Sequence, residues 1–358
     1  MEREDLLPFR PLAPWMLARY GRATHRLALD AGSTCPNRDG TRGRGGCTYC
    51  DVEGSGTGAQ KDGLDLRRQM EAGLARLARR AEDGVPPAVV AYFQSYSNTY
   101  VTPERLREVL ASLDPWLPEG GAVADGAPRV ACVALATRPD TLPEWALDEL
   151  ARLKEERGVD VWLELGLETA DDEVQRRIHR LHTLAEFHDA ARRARARGIL
   201  CVGHAILGLP GDGREGARRT AIELAKSGVE GVKVHHLMVL RRTAMAKQWS
   251  EGRLEVLDAP TYVDWLADFV ERLAPEQVLH RLTGDSPGAQ LLAPVWPVAK
   301  NEVRILLARE LERRGTRQGS LSPTPDRAIG DGRGDRQANL TDDAPAAGGP
   351  GEARWIYR

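Results

Sequence analysis

The sequence predicts an α/β fold: a partial (β/α)6, TIM-like open barrel, followed by an α-rich extension and a disordered tail. Three observations carry that expectation. Six short apolar, β-branched runs recur along the first two thirds of the chain, each followed by polar or glycine-rich residues and then by a helical pattern. The alternation stops near residue 240. From Thr316 onward Gly and Pro abound and large apolar groups are rare until Trp355, so little surface is available to offset the entropy of ordering. Alternating strands and helices imply parallel strands joined by right-handed crossovers. A flat doubly wound sheet satisfies the same pattern as a curled one.

The strands are expected over 26–30, 88–93, 130–136, 159–165, 200–207 and 232–240. After the first, Leu66, Met70, Leu74 and Leu77 line one helical face with arginines opposite. A helix is expected to open at Thr141-Leu-Pro-Glu144, where Thr and Glu form a capping box and Pro occupies the first turn. A third helix follows Asp171, a fourth runs to about Gly198, and another spans 213–227. Beyond 240, helices are expected over 260–273 and 300–314, separated by Pro294-Val-Trp296-Pro297. The division that results is a lead-in over 1–25, the barrel over 26–240, the extension over 241–318 and the tail over 319–358.

The chain has 358 residues, with 50 Lys+Arg against 52 Asp+Glu and 42% hydrophobic residues. That composition excludes fibrous and wholly disordered classes and leaves room for a large core. The near-neutral charge provides no global nucleic-acid footprint. Only six of the basic residues are Lys; the arginines are scattered among acids, a pattern read as genome composition. No 18-residue apolar run exists, and the charged start Met1-Glu-Arg-Glu-Asp5 lacks a signal-peptide core, so a cytoplasmic protein with no membrane partner is expected.

Of five cysteines, Cys35, Cys47 and Cys50 fall in one glycine-rich stretch with C-x11-C-x2-C spacing, starting just after the first strand. Gly40, Gly43, Gly45 and Gly46 let this loop bend tightly, and Cys47 and Cys50 are close enough to reach one metal centre. Three readings compete. The thiols are unrelated buried cysteines; or they hold a structural zinc, with His25 the nearest fourth ligand; or they bind three irons of a cubane cluster and leave the fourth iron open. Cys132 and Cys201 lie inside strands and are expected to be buried and inert.

Seven motifs combine with this spacing. They are Cys35-Pro-Asn-Arg-Asp-Gly40, Gly45-Gly-Cys-Thr-Tyr-Cys50, Tyr92-Phe-Gln-Ser-Tyr-Ser-Asn-Thr-Tyr100, Glu164-Leu-Gly-Leu-Glu-Thr169, Gly208-Leu-Pro-Gly211, Lys233-Val-His-His236 and His280-Arg-Leu-Thr-Gly-Asp285. Together they resemble the radical S-adenosylmethionine (SAM) superfamily, and within it the YhcC-like branch. That branch is similar in its core to the Elongator catalytic subunit and to oxygen-independent coproporphyrinogen oxidase. The resemblance covers roughly residues 8–319.

The resemblance implies an enzyme in which Cys35, Cys47 and Cys50 ligate a 4Fe–4S cluster. SAM chelates the open iron and is cleaved reductively to a 5′-deoxyadenosyl radical, which takes hydrogen from a substrate that the resemblance leaves open. An electron donor such as flavodoxin or ferredoxin is implied. Tyr49 is expected against the adenine, Gln94 and Ser95 at the SAM amino group, Glu168 at the ribose or methionyl part, and Gly208 and Gly211 in the turn that packs the adenine. Glu168 stands where relatives commonly carry Gln. Lys233 and His235 share one strand face and are expected to meet an anionic group of substrate or SAM, with His236 on the other face. Glu164, two residues before Gly166 on the Glu168 face, is expected as a second support of the site, a substrate-contacting group or a salt-bridged barrel residue. Asn98, His204, Arg281, Asp285 and Lys300 are weaker substrate-side candidates. The Elongator likeness implies tRNA as one alternative substrate, with Arg176-Arg177, Arg192-Arg193 and Arg241-Arg242 as local basic groups. A zinc-stabilised binding module without enzymatic activity is the other.

Overall fold

The computed structural model describes residues 7–51, 59, 63–78, 86–118, 129–286 and 289–324. The chain opens with helix α1 (Leu12–Tyr20) and strand β1 (Thr24–Leu29). A short helix, α2 (Pro36–Asp39), lies in the cysteine loop and precedes α3 (Leu66–Ala78). Then β2 (Ala88–Phe93), α4 (Pro103–Ala111), β3 (Arg129–Thr137), α5 (Glu144–Arg157) and β4 (Asp160–Glu168) alternate. They are followed by α6 (Asp172–Arg177), α7 (Leu184–Arg195), β5 (Leu200–Leu207), α8 (Gly213–Ser227) and β6 (Gly231–His236). The remainder is β7 (Val239–Leu240), α9 (Ala244–Ser250), α10 (Ala259–Arg272), β8 (Val278–Arg281), β9 (Leu291–Ala293) and α11 (Lys300–Arg314).

The main sheet has the order β1-β2-β3-β4-β5-β6-β8, and every pairing in it is parallel. Spatial order follows chain order with no reversal, so there is no switch point of the kind a doubly wound sheet requires. The crossover helices share one core with a single face of the sheet. Leu27, Val89, Leu135 and Leu163 pack there with Met70 of α3, Leu106 of α4, Leu147 of α5, Phe187 of α7 and Leu224 of α8. The other face is concave. Its lower part is closed by α1, whose Met16 and Trp15 pack with Val90, Tyr92, Cys132 and Trp162. Trp15 and Trp162 are 5.7 Å apart, and Tyr20 donates to Asp160 at the start of β4 over 2.8 Å. The sheet is therefore a half-barrel with a sealed floor. No helix among the described residues is long and apolar enough to cross a membrane.

Three expectations need correction. The stretch 232–240 is two strands: β6 stays in the barrel, and β7 pairs antiparallel with β9 in a separate ribbon. The extension also contributes a seventh barrel strand, β8, in register Lys233↔Arg281. Its four residues, Val-Leu-His-Arg, are too few and too polar to show a strand period. Finally, Thr141 does not cap α5. Pro143 occupies the cap position without a side-chain bond, and the Thr141 hydroxyl joins a buried cluster with Ser97 (2.7 Å) and Thr137 (3.2 Å). The capping box sits instead at Thr183 and Glu186, before α7.

The lead-in and the start of the tail belong to the barrel edge. Leu279 N donates to Arg10 O (2.8 Å), Gln318 N to Pro8 O (2.7 Å), and Leu321 N to Glu271 O (2.7 Å). Residues 325–358 of the expected disordered tail lie outside the described residues.

One close approach tests this packing. Gly73 in α3 lies over β1 such that an added Cβ would fall within 2.7 Å of Leu27 Cγ. Leu27 is buried. Gly73→Ala is therefore expected to destabilise by about 1–3 kcal/mol through overpacking, although alanine is the better helix former. A raised denaturant midpoint would show that the α3–β1 contact is looser than described.

Candidate active site at the barrel rim

The cysteine loop leaves the C-terminal end of β1. Cys35 precedes α2, whose first turn is started by Pro36, and the chain then folds back so that Arg42 N and Gly43 N donate to Pro36 O (2.9 and 3.1 Å). Gly45 and Gly46 have φ of 83° and 82°, a left-handed conformation that glycine adopts without penalty. The buried Asn37 amide donates to the carbonyls of His179 (2.6 Å) and Arg180 (3.1 Å), and Thr48 N donates to Ile178 O (3.0 Å). These bonds pin the loop to the connection between α6 and α7. His25, by contrast, is the second residue of β1, at its N-terminal end. Four residues of strand, about 13 Å, separate it from Leu29 and the cysteine end, so the zinc reading loses its fourth ligand.

Two guanidiniums face the thiols. Arg38 lies 3.4 Å from Cys50 Sγ, and Arg180 lies 4.0 Å from Cys47 Sγ. Asn37 Nδ2 is 3.6 Å from Cys47 Sγ. Burial, with the neighbouring Cys47, pushes the Cys50 thiol up to about 12 against the pull of Arg38. Sequence reasoning did not single out Arg38 or Arg180. Arg38 lies within the first cysteine motif; Arg180 carries no local signal and reaches Cys47 only across 133 residues of chain.

Around this loop the strand ends supply polar groups. Ser95 is buried just past β2, and its hydroxyl has no hydrogen-bond partner among the described residues. Gln94 is tied to β1 through its backbone, donating to Leu29 O over 3.2 Å. Glu168 ends β4 with φ of 67°, a left-handed conformation that is strained for a side-chain residue, and pairs with Arg180 at 3.3 Å. Gly166 makes room for that pair, since a Cβ there would lie 2.5 Å from Glu168 Oε1. Tyr49 packs on the apolar group of Ile206, Leu209 and Leu237, and its hydroxyl is pushed up by burial and by Glu168. Gly208 and Gly211, with φ of 91° and 87°, turn the chain from β5 into α8.

Asp212 follows that turn and is buried, accepting from Thr169 Oγ1 at 2.8 Å. Burial raises its carboxyl to about 6. The folded state thus holds a proton that the unfolded chain, with an ordinary carboxyl near 3.8, releases. Stability from this group is complete below pH 4 and is lost as pH rises toward 6. Asp212→Asn is expected to remove that slope, leaving the variant more stable relative to the parent by roughly 2–3 kcal/mol at pH 7 than at pH 4. Equal pH profiles from chemical unfolding would contradict this.

Below the rim, the concave face carries charge. Glu164 of β4 is fully buried and pairs with Lys233 of β6, with His204 of β5 (3.0 Å) and with Arg26 of β1 (3.5 Å). Lys233 also donates to the Tyr92 hydroxyl at 3.2 Å. Burial acts to raise the Glu164 carboxyl, and the charges of Lys233 and Arg26 outweigh it, holding it well below the usual range. Glu164 is therefore a salt-bridged barrel residue. His235 stacks on His204 at 5.9 Å, and its Nε2 is buried without a partner among the described residues.

Several weaker candidates move away from the site. Asn98 is a structural residue: its amide donates to Phe93 O, Ser95 O and Ala136 O (3.0, 3.2 and 2.9 Å), which closes the β2 turn. His236 faces the opposite side from His235, 4.2 Å from Trp296, and accepts from Gly284 N. Asp285 is exposed, and the side chain of Lys300 lies outside the described residues. Cys132 and Cys201 are buried, and burial raises both thiols, consistent with inert core residues. Two cavities open around Asp140 and Thr141: one of 280 Å3 is lined in part by Pro36, Thr41 and Arg42 of the cysteine loop, and one of 550 Å3 is lined by no residue of that loop.

A parallel half-barrel with three thiols and a ring of polar strand ends at its C-terminal rim defines a class. Residues 35–224 match the model of the Radical SAM superfamily, and residues 229–313 match the Radical_SAM C-terminal domain. The chain belongs to the radical SAM superfamily, whose members are enzymes that use a 4Fe–4S cluster and SAM. It is 38% identical to YtqA of Bacillus subtilis over 84% of this chain and 89% of that one. It is 35% identical to YhcC of Escherichia coli over 86% of this chain and 93% of that one. The archaeal Elp3 of Methanocaldococcus infernus shares the fold with a TM-score of 0.63 at 14% identity, over 82% of this chain and 64% of that one.

Proposed function

We propose that Cys35, Cys47 and Cys50 hold a 4Fe–4S cluster with one open iron, and that SAM lies across the rim above β2, β4 and β5. The chemistry these groups supply when bound is one-electron cleavage of SAM to methionine and a 5′-deoxyadenosyl radical that abstracts hydrogen from a substrate. The single observation that carries the reading is three thiols borne on one pinned loop, with the Arg38 and Arg180 guanidiniums against Cys50 and Cys47; among the described residues the thiols do not stand together as a preformed metal-binding group. Arg38 pulls the Cys50 thiol down against burial, and cations at the loop offset the negative charge of a thiolate-bound cluster.

The rim residues supply positioning. The partnerless Ser95 hydroxyl beside Gln94 suits an amino or carboxylate group. Tyr49 offers a ring face, Gly208 and Gly211 allow close backbone approach, and the Glu168–Arg180 pair presents an acceptor next to a donor. The apolar group beneath Tyr49 keeps water from the adenine side. Lys233 and His235 lie deeper and face the substrate. The protein acts in the cytoplasm with a one-electron donor such as flavodoxin or ferredoxin.

The tRNA reading gains nothing from one of the basic pairs noted in the sequence, Arg192-Arg193. Arg192 and Arg193 are engaged by Asp189 (both 2.6 Å), and Arg193 also by Glu144 (2.9 Å). Those charges are locally neutralised and single out no RNA face.

Anaerobically reconstituted protein is expected to carry about four irons per chain and to release 5′-deoxyadenosine from SAM after reduction, without added substrate. Zinc in place of iron, or a cluster whose four irons are all bound by side chains, would overturn the proposal.

A further inference from the structure

Buried charges in proteins are almost always paired, because an uncompensated charge away from water is costly. The half-barrel lumen departs from that rule. Three cationic side chains, Arg26, Lys233 and Arg281, face one buried carboxylate, Glu164, while the exposed Asp285 acts on Arg281 from outside the layer. Lys233 and the nearer oxygen of Glu164 satisfy each other. Arg26 reaches only the second oxygen, at 3.5 Å, with its guanidinium over the Tyr92 ring at 4.7 Å. The Arg281 guanidinium has no carboxylate within ion-pair distance among the described residues, although it stands opposite Lys233 in the β6–β8 register. Even a neutral Lys233 leaves two guanidiniums against one buried carboxylate.

The surroundings add to the mismatch. Burial pulls both Lys233 and Arg281 down from their ordinary values, and the charge of Arg26 adds to it. His235 Nε2 and His280 Nδ1, on the same face, are buried without partners among the described residues. The layer is not sealed: the side chains of Arg26 and His204 remain 23% and 17% exposed, so solvent reaches it.

We propose that this layer is an oxyanion subsite, formed by Arg281, Arg26 and Lys233, and that it seats the carboxylate or phosphate end of a small-molecule substrate. The assignment as substrate rests on the radical SAM reading of the rim. Glu164 lies four residues below Glu168 on one strand, a depth of about 13 Å. One end of a small molecule can reach it while the rest of that molecule extends to the rim; a polynucleotide backbone cannot. A bound oxyanion would give Arg281 its missing partner and bring the layer toward neutrality.

Titration of the cluster-loaded protein with orthophosphate and, separately, with succinate tests this by calorimetry and thermal shift, at ionic strength held constant with KCl. Saturation by at least one probe in the millimolar range is expected, and the probe that binds tells phosphate from carboxylate. Arg281→Gln should weaken that probe by about tenfold or more. Arg241→Gln, on the surface outside the lumen, should leave its affinity unchanged. If Arg281→Gln does not fold, Arg281→Lys carries the test. Lysine keeps the charge but loses the forked donor geometry, and an affinity loss of about threefold is expected. No saturation by either probe, or unchanged affinity in the Arg281 variant that folds, overturns the subsite. The readout is binding and not turnover: a missing cubane would overturn the rim reading while the titration stayed readable, and absent saturation would overturn the subsite with the cubane signal intact.

Discussion

Replacing Cys47 by alanine is expected to abolish cluster incorporation and reduce release of 5′-deoxyadenosine to background, while leaving the fold standing. Cys47 is buried at the rim, held against Asn37 and Arg180. Its loop is secured by backbone and amide bonds that do not involve the thiol. The main core lies on the other face of the sheet and includes no residue of that loop. Compared in cluster-free form, parent and variant should differ by about 1 kcal/mol, a midpoint shift of roughly 2–4 °C. Iron content, the spectrum of the reduced protein and product release check the chemical half; thermal unfolding checks the structural half. Turnover equal to the parent would remove Cys47 from the proposed ligand set.

A larger effect on stability is expected from Glu164→Ala. The carboxylate has no exposed surface and faces Lys233, His204 and Arg26. Removing it strands buried cations with no counter-charge, a loss of about 3–5 kcal/mol. Because the folded carboxyl is held below its ordinary value, its stabilisation is complete above the unfolded value near 4.5 and fades as pH falls through the lower, folded one. The full loss should therefore appear at pH 7 and shrink in acid. Adding Lys233→Met to Glu164→Gln should recover part of the deficit, because the second change removes one of the stranded charges. A loss under 1 kcal/mol for Glu164→Ala at pH 7 would mean that water reaches the lumen freely and screens the cluster.

Much of the barrel was legible because its units are local. Leu66, Met70, Leu74 and Leu77 reveal α3 through their own spacing, and all four are buried as expected. The helices over 213–227 and 300–314 begin and end where expected. Val232–Leu240 was read as one strand because its apolar run continues through β7; only the pairing partner, β5 or β9, separates the two. Thr141 shows the opposite error: a correct capping motif was outcompeted by hydrogen bonds to Ser97 and Thr137, some 40 residues away or four residues back.

The candidate site divides in the same way. The cysteine spacing, the strand-end polar residues and the Gly208–Gly211 turn could be named from the sequence because each is a short contiguous pattern. Arg180 at Cys47, Lys233 at Glu164 and Arg26 beneath them could not, being joined across 133, 69 and 138 residues respectively. Asn98 was misassigned because an amide's role depends on which carbonyls surround it.

By itself the chain order of strands, helices and thiols determined a parallel α/β protein with a three-cysteine loop at the strands' C-terminal end, since periodicity and spacing are properties of neighbouring residues. Only the tertiary structure decided that the sheet curls without reversing, that β8 extends it, that α1 seals its floor and that its lumen holds more positive than negative charge. Those features arise from contacts between segments far apart in sequence, where closure of the barrel, and not local propensity, sets which side chains meet.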